Sequence, residues 1–544
     1  MQNKQNENHT DTLEPIGLSF WQSARPISSL RAQGSWLFSA KLIGLAFSFA
    51  LPIFIVRVLQ QHDVGTYRQA FQLITNLAAL LPIGMSMSAY YYLVRDPKER
   101  NSAVLNILIF NAVMGLAAMI FMIVFPDLVG SIFNNPDISR LSHLIGLATF
   151  LWVFSSLIEI IAVANGEIES AAFFITFSQF SRMTLMSAAV FFFGTVDAFL
   201  IAAVIQGIIQ SGILLLYLTS RFPKFWKSFD LSFLRRQLAY AIPYGASGML
   251  WIIQTDIHSY FVGNRFSPSD YAIYAYGCLQ IPLIAIISES VTSLLIPRMS
   301  ELQSNGKYRE ILLLAIKAMQ ILAFYFLPLY VLLLITSKTL IISLLTSAFA
   351  ASVPIFIVNL TLLPTYIWVN DPIIRSFGDL GRFLLRMRVF NTILLITILL
   401  AIGTKFGLLG VIVVVVAISL FEKAMLTVVV LRRLQLGKND VHLFKPTLKI
   451  AISTIIAGFF AALFYSEFSE SLHDFGFSSS ATLFGPATKT VAELLSGSIV
   501  IGATTLLFLP IYLACTRYLG VLETGPFDFA LSLFRRRMAN SKIC

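Results

Sequence analysis

Residues 407–421 read Gly-Leu-Leu-Gly-Val-Ile-Val-Val-Val-Val-Ala-Ile-Ser-Leu-Phe, and this stretch decides the fold. Apart from Ser419 it is apolar as far as Glu422. A membrane β-barrel strand would alternate lipid-facing and lumen-facing side chains, and a surface helix of a soluble protein would show a polar face. Neither pattern is present. Continued to residue 431, the run suits a helix surrounded by lipid or protein, since crossing ~30 Å of hydrocarbon takes roughly 20 residues. Backbone groups at that depth must bond within the helix.

Runs of this kind recur along the chain, at 34–58, 66–94, 103–125, 144–164, 170–194, 198–218, 237–262, 270–296, 310–335, 350–370, 383–403, 407–431, 446–466 and 493–516. Composition agrees. Of 544 residues 57% are hydrophobic and 12% charged, and mean hydropathy is +0.78, which leaves too little charge to cover a soluble surface. The expectation is an all-α polytopic membrane protein with about fourteen spans. A twelve-span core with two peripheral helices is the competing count.

The net charge of +11 is explained by its location. With the N-terminus inside, 28 of the 39 Lys and Arg fall on inner segments, with 371–388 counted as one of these, while 7 fall on outer segments and 4 within spans. That is a strong positive-inside bias, so both termini are expected to be cytoplasmic and no nucleic-acid partner is implied. Residues 1–33 are polar and lack a signal-peptide core, so the first span is expected to insert itself. The basic end, Pro526 to Arg537, reads either as a tail on anionic lipid or as a basic terminus of no special role. Two places are ambiguous. Residues 126–143 read as an outer loop with a turn, and 338–353 as a surface helix or re-entrant piece. The longest outer loop is expected at 467–492.

Cys278, Cys515 and Cys544 are scattered, so neither a disulfide framework nor a metal site is indicated. There is no phosphate loop of the G-x-x-x-x-G-K-[ST] type and no nucleophile–base cluster. No cofactor and no enzymatic activity are expected.

Two joints repeat. Asp63-Val64-Gly65-Thr66-Tyr67 follows a span that ends near Arg57, and Asp270-Tyr271-Ala272-Ile273-Tyr274 follows one that ends near Arg265. Six spans separate them, an even number, so the copies run parallel about an axis along the membrane normal, as in many transporters. The expected division is 1–33 as an N-terminal extension, 34–218 as a first lobe, 237–431 as a second lobe, 446–516 as two further helices and 517–544 as a basic tail.

The first joint, with Val56-Arg57-Val58-Leu59 before it, resembles the first loop of Wzx-type polysaccharide flippases in the MOP exporter superfamily. Ile242-Pro243, Asp256, Tyr274, Ile296-Pro297-Arg298 and Ile374-Arg375-Ser376-Phe377-Gly378 extend the resemblance over about residues 34–516. The resemblance implies two six-helix lobes about a cavity and two extra C-terminal helices in a bacterial cytoplasmic membrane. The implied activity is transfer of polyprenyl-pyrophosphate-linked oligosaccharide to the outer leaflet. The implied partners are that lipid-linked glycan, membrane lipids and polysaccharide polymerase or export machinery. An ion-coupled small-molecule exporter of the same superfamily and an O-antigen polymerase or ligase are the rivals.

A charge within a span costs roughly 2.5–3.5 kcal/mol on insertion scales, so it normally faces a cavity or a partner. Lys41, Arg57, Arg182 and Arg265 are the candidates for a phosphate-binding lining, guanidinium forks being suited to phosphate oxygens. Asp256 and Glu289 are candidates for gating or for carrying a coupling proton or sodium ion. Cross-lobe pairs Lys41–Glu289 at the inner side and Arg57–Asp256 at the outer side would follow. The competing role for each charge is an ion pair within one lobe that fixes packing, and this is the expectation for Lys317, Glu422 and Lys423. Gln69, Gln72 and Asn76 form one polar stripe, and Ser247, Trp251, Gln254 and His258 another. Asp256 lies about 200° from Gln254 around the helix, which makes the seventh span polar on two sides.

Overall fold

The computed structural model describes residues 39, 42–44, 47, 50–95, 98–279, 281–484 and 489–521, and among these it contains helices and turns but no strand. Lys41, the N-terminal extension and the basic stretch 526–537 lie outside the described residues. Helix α1 covers 50–58. The first half continues through α2 (Gln61–Leu80), α3 (Ser88–Arg95), α4 (Arg100–Val124), α5 (Pro126–Phe133), α6 (Pro136–Ser155), α7 (Leu157–Ala164), α8 (Ile168–Phe192) and α9 (Val196–Arg221). The second half holds α10 (Leu231–Arg265), α11 (Pro268–Gly277), α12 (Pro282–Ser304), α13 (Tyr308–Leu345), α14 (Ser352–Leu360), α15 (Asn370–Ser376), α16 (Gly378–Ile402) and α17 (Gly407–Arg433). The chain then forms α18 (Lys445–Phe484) and α19 (Lys489–Tyr518).

Proline and glycine explain where helices break. Pro82 lacks the N–H a helix needs, and Ile83 and Gly84 take left-handed φ values of 47° and 72°, so α2 and α3 meet at a 47° bend. Pro364 falls in the broken stretch between α14 and α15, which meet at 49°, and Pro372 lies in the first turn of α15. Pro243, Pro297, Pro328 and Pro510 lie inside long helices, where neighbouring helices and local adjustment can satisfy the freed carbonyl.

The structure redraws three stretches. Residues 126–143 are mostly helix: Pro126 stands at the start of α5, Asn134 turns the chain at φ 47°, and Asn135 caps α6 just before Pro136. Residues 338–345 simply prolong α13, which ends at Thr346 with φ 117°. Residues 467–484 continue α18 rather than forming a loop. At 1.5 Å per residue that helix is ~60 Å long, so it outruns the bilayer.

Among the described residues, eight helices have spanning length and apolar character, or ten if each bent pair is one span. The expected stretches 34–58, 170–194, 237–262 and 270–296 are not among them. The first is only partly described. Polar residues such as Arg182 and Asp256 dilute 170–194 and 237–262, while 270–296 is broken between α11 and α12, and these are the helices on which a lining was expected.

Between helices in lipid there is no hydrophobic drive, so close packing carries association. Glycines provide it on the C-terminal pair. Gly458 meets the Val331 side chain of α13, Gly497 meets Ser343, and Gly476 of α18 meets Ser496 of α19. The Tyr512 hydroxyl also donates to the Phe324 carbonyl at 2.8 Å. These contacts seat α18 and α19 along α13.

Candidate functional site

The repeated joints face each other. A Cβ built on Gly65 of α2 would lie 1.8 Å from the Pro268 carbonyl oxygen at the start of α11. Asp270 closes a capping box with Ser267, and Asp63 sits in the first turn of α2, where a carboxylate favours the helix dipole. One turn later each tyrosine turns inward. Tyr67 packs on Phe71 and Phe199, and the Tyr274 hydroxyl meets His258 Nδ1 at 2.8 Å. The D-x-x-x-Y pattern thus starts a helix and anchors it.

A polar seam extends the junction. Gln72 of α2 donates to Asp256 of α10 at 3.0 Å, and Asn76 donates to the Tyr260 hydroxyl at 3.2 Å. Asn135 donates to Gln69 Oε1 at 2.7 Å and to Thr66 Oγ1 at 3.1 Å. Asn264 donates to the Ser131 carbonyl at 2.9 Å, and Phe133 stacks on Tyr260 with centroids 5.3 Å apart. The stripe expected on the second span therefore faces α10. The opposite side of α10 turns into its own half: Gln254 bonds Glu422, which also accepts from Asn391 at 2.9 Å.

Arg57 does not pair with Asp256. Its guanidinium donates to the carbonyls of Leu344 and Ser343, each at 2.7 Å, and lies 4.0 Å from Glu493. Those carbonyls end α13, where helix termini leave acceptors unsatisfied and the dipole favours a cation. Arg57 therefore joins the first half, α13 and α19.

A cavity of about 140 Å³ opens between α1, α2, α6 and α8. Arg68, Arg182, Gln179 and Thr75 supply its polar lining, with Tyr67 and Trp152 among its rings. Arg182 lies 4.4 Å over the Trp152 ring, and its Nε is buried without a partner. Arg68 lies 5.0 Å over Tyr276 of α11, across the junction. Among the described residues no carboxylate lines this cavity. Two arginines, two hydrogen-bonding side chains and no counter-charge suit an anion.

Of the other expected site residues, Arg265 is exposed in the last turn of α10 and Glu289 is exposed on α12. Sequence reasoning passed over Arg68, counted as an outer charge, and Arg388, counted with the inner segment 371–388. Arg388 in fact lies on α16, 4.7 Å over the Trp251 ring.

Among solved structures the chain resembles the lipid II flippase MurJ in an inward closed conformation, with a TM-score of 0.63 and 16% identity over 88% of this chain and 98% of that one. It also resembles a multidrug resistance transporter of the MATE family, of the MOP superfamily, in an inward-facing conformation, with a TM-score of 0.58 and 15% identity over 72% and 94%. A third is a MOP superfamily transporter from Pyrococcus furiosus whose binding pocket has reverse polarity, with a TM-score of 0.53 and 17% identity over 74% and 95%. The likeness is one of fold, that of the MOP superfamily. No curated protein matches the chain in sequence. A family model described as polysaccharide biosynthesis protein matches residues 79–354, half of the chain, and the chain belongs to that family.

Proposed function

We propose that this multi-pass membrane protein is a flippase carrying a polyprenyl-pyrophosphate-linked oligosaccharide from the inner to the outer leaflet of a bacterial cytoplasmic membrane by alternating access. The observation that carries this reading is the cavity with Arg68 and Arg182 and, among the described residues, no lining carboxylate. A pyrophosphate offers several oxygens to guanidinium forks, whereas a cationic drug would want acidic lining. Membership of a polysaccharide biosynthesis family supports the glycan, and the fold of a lipid II flippase supports the lipid carrier. Lys41 and Arg265 are proposed to guide the same anion along the path.

The outer contacts of Gly65 with Pro268, Arg57 with α13 and Asp256 with Gln72 would break as the halves rock, releasing the headgroup outward. Energy need not come from a nucleotide. Moving a negative charge outward across an inside-negative membrane is favourable by ~2.3 kcal/mol per charge per 100 mV. Asp256 and Glu289 are proposed to gate the path or take a coupling proton or sodium ion. The charge bias supports both termini lying inside, and polysaccharide polymerase or export machinery would receive the product.

Deleting the gene tests the reading. Surface glycan should fall at least tenfold while its lipid-linked precursor accumulates on the inner leaflet, and the intact gene should restore both. Unchanged surface glycan together with raised sensitivity to cationic drugs would overturn it in favour of an exporter.

A further inference from the structure

The second half carries a counterpart to Arg182 on Trp152. Arg388 stands 206 residues after Arg182, while Asp270 and Tyr274 stand 207 after Asp63 and Tyr67. Both arginines lie over a tryptophan ring, at 4.7 and 4.4 Å, and both have a buried Nε without a partner. Nearby, Lys423 of α17 lies 4.5 Å over Tyr366. We propose that Arg388, Lys423, Trp251 and Tyr366 form a second site, one that holds the carboxylate of an acidic sugar in the carried glycan.

Three observations lead there. The first is scaffolding. Glu422 bonds Gln254, one turn from Trp251, and Asn391, one turn from Arg388. It sits beside Lys423 in sequence, so one buried carboxylate holds α10, α16 and α17 in register and fixes where both cations point.

The second is access. Trp251 is 48% exposed and Tyr366 43%. On α10, Ile242 and Ile253 are the exposed apolar residues half a turn away from Trp251, at 100° per residue. The apolar side suits lipid, and Trp251 with exposed Gly248 then lies on the side away from it. An open ring edge beside a guanidinium suits a sugar face next to its acid group.

The third is charge. Arg388 and Lys423 share Glu422 as an electrostatic neighbour, and Asp371, also near both, pairs with Arg375 at 2.8 Å. The surplus is one positive charge, against two in the first-half cavity. A monoanion fits the one and a pyrophosphate the other.

This site rests on the flippase reading, and two probes separate their fates. The purified full chain in detergent would be titrated with inorganic pyrophosphate and with digalacturonate, read by isothermal calorimetry, with maltose as the neutral control. Digalacturonate should bind, maltose should not, and Arg388→Gln and Lys423→Gln should each weaken digalacturonate at least tenfold. Arg182→Gln should leave digalacturonate within twofold while weakening pyrophosphate at least tenfold. Arg388→Lys, which keeps the charge, should restore part of the digalacturonate affinity and shows that loss is not misfolding. Unchanged digalacturonate affinity in Arg388→Gln overturns the second site. So does pyrophosphate binding that falls equally in Arg388→Gln and Arg182→Gln. Failure of pyrophosphate to bind the wild type, with digalacturonate still lost in Arg388→Gln, supports the second site and strikes the flippase reading alone.

Discussion

Gly65 and Pro268 approach until a single added carbon on Gly65 would lie 1.8 Å from the Pro268 carbonyl oxygen. Neither a rotamer change nor a small shift relieves a clash with backbone, so only glycine lets α2 and α11 close together here. Gly65→Leu should hold the two helices apart. In a chain freed of its cysteines, Thr75→Cys should react with an impermeant maleimide added outside at least fivefold faster when Gly65→Leu is present, and glycan export should fall. Equal labelling would show that closure does not depend on this contact.

Arg57 gives three helices one shared cation. Arg57→Ala strands the end carbonyls of α13, and hydrogen bonds to a charged group are worth roughly 1.5–3 kcal/mol. The melting temperature of the detergent-solubilised chain should drop by several degrees, with Arg57→Lys in between. Glu493→Gln should cost much less, since that pair stands 4.0 Å apart.

Asn135 joins a helix cap to the seam. Its side chain accepts from Asp137 N at 3.0 Å while donating to Gln69 and Thr66. Asn135→Ala should destabilise the fold by about 2 kcal/mol, combining a lost cap with buried groups left unmade. Asn135→Asp retains the cap acceptor but not the donors, so denaturation should place it between wild type and alanine.

Asp256 is the carboxylate of the seam. Asp256→Asn keeps an acceptor for Gln72 but cannot change charge, whereas Asp256→Ala removes both. If Asp256 takes a coupling proton, glycan export by Asp256→Asn should no longer vary with outer pH between about 5 and 8, at normal protein abundance. Wild-type pH dependence in that variant would remove Asp256 from coupling.

How far the chain was legible follows from these residues. Long apolar runs such as 407–421 fixed the class because lipid leaves a helix no alternative, and the order of the two D-x-x-x-Y joints pointed to the family. Loop readings failed where charge was taken for irregular backbone. Glu467, Glu470, His473 and Asp474 ride on a helix that leaves the bilayer, and Pro126 and Pro136 begin helices rather than interrupt them. The same habit hid Arg68 and Arg388 among loop charges. Shifting Arg182 by the 207-residue offset of the joints lands on Val389, next to Arg388. Nothing in the local sequence announces that Arg57 would seek the end of α13 rather than Asp256, because that choice depends on where a helix nearly 290 positions later comes to stop.

The most direct test is flipping itself. The purified chain would be reconstituted into vesicles holding a fluorescent polyprenyl-pyrophosphate disaccharide on the inner leaflet, with its arrival outside followed by an impermeant quencher. Wild type should expose the label at least tenfold faster than protein-free vesicles, and Arg68→Gln with Arg182→Gln should return it to the protein-free rate. Exposure at the protein-free rate with folded wild type, or at the wild-type rate in the double variant, would contradict the account.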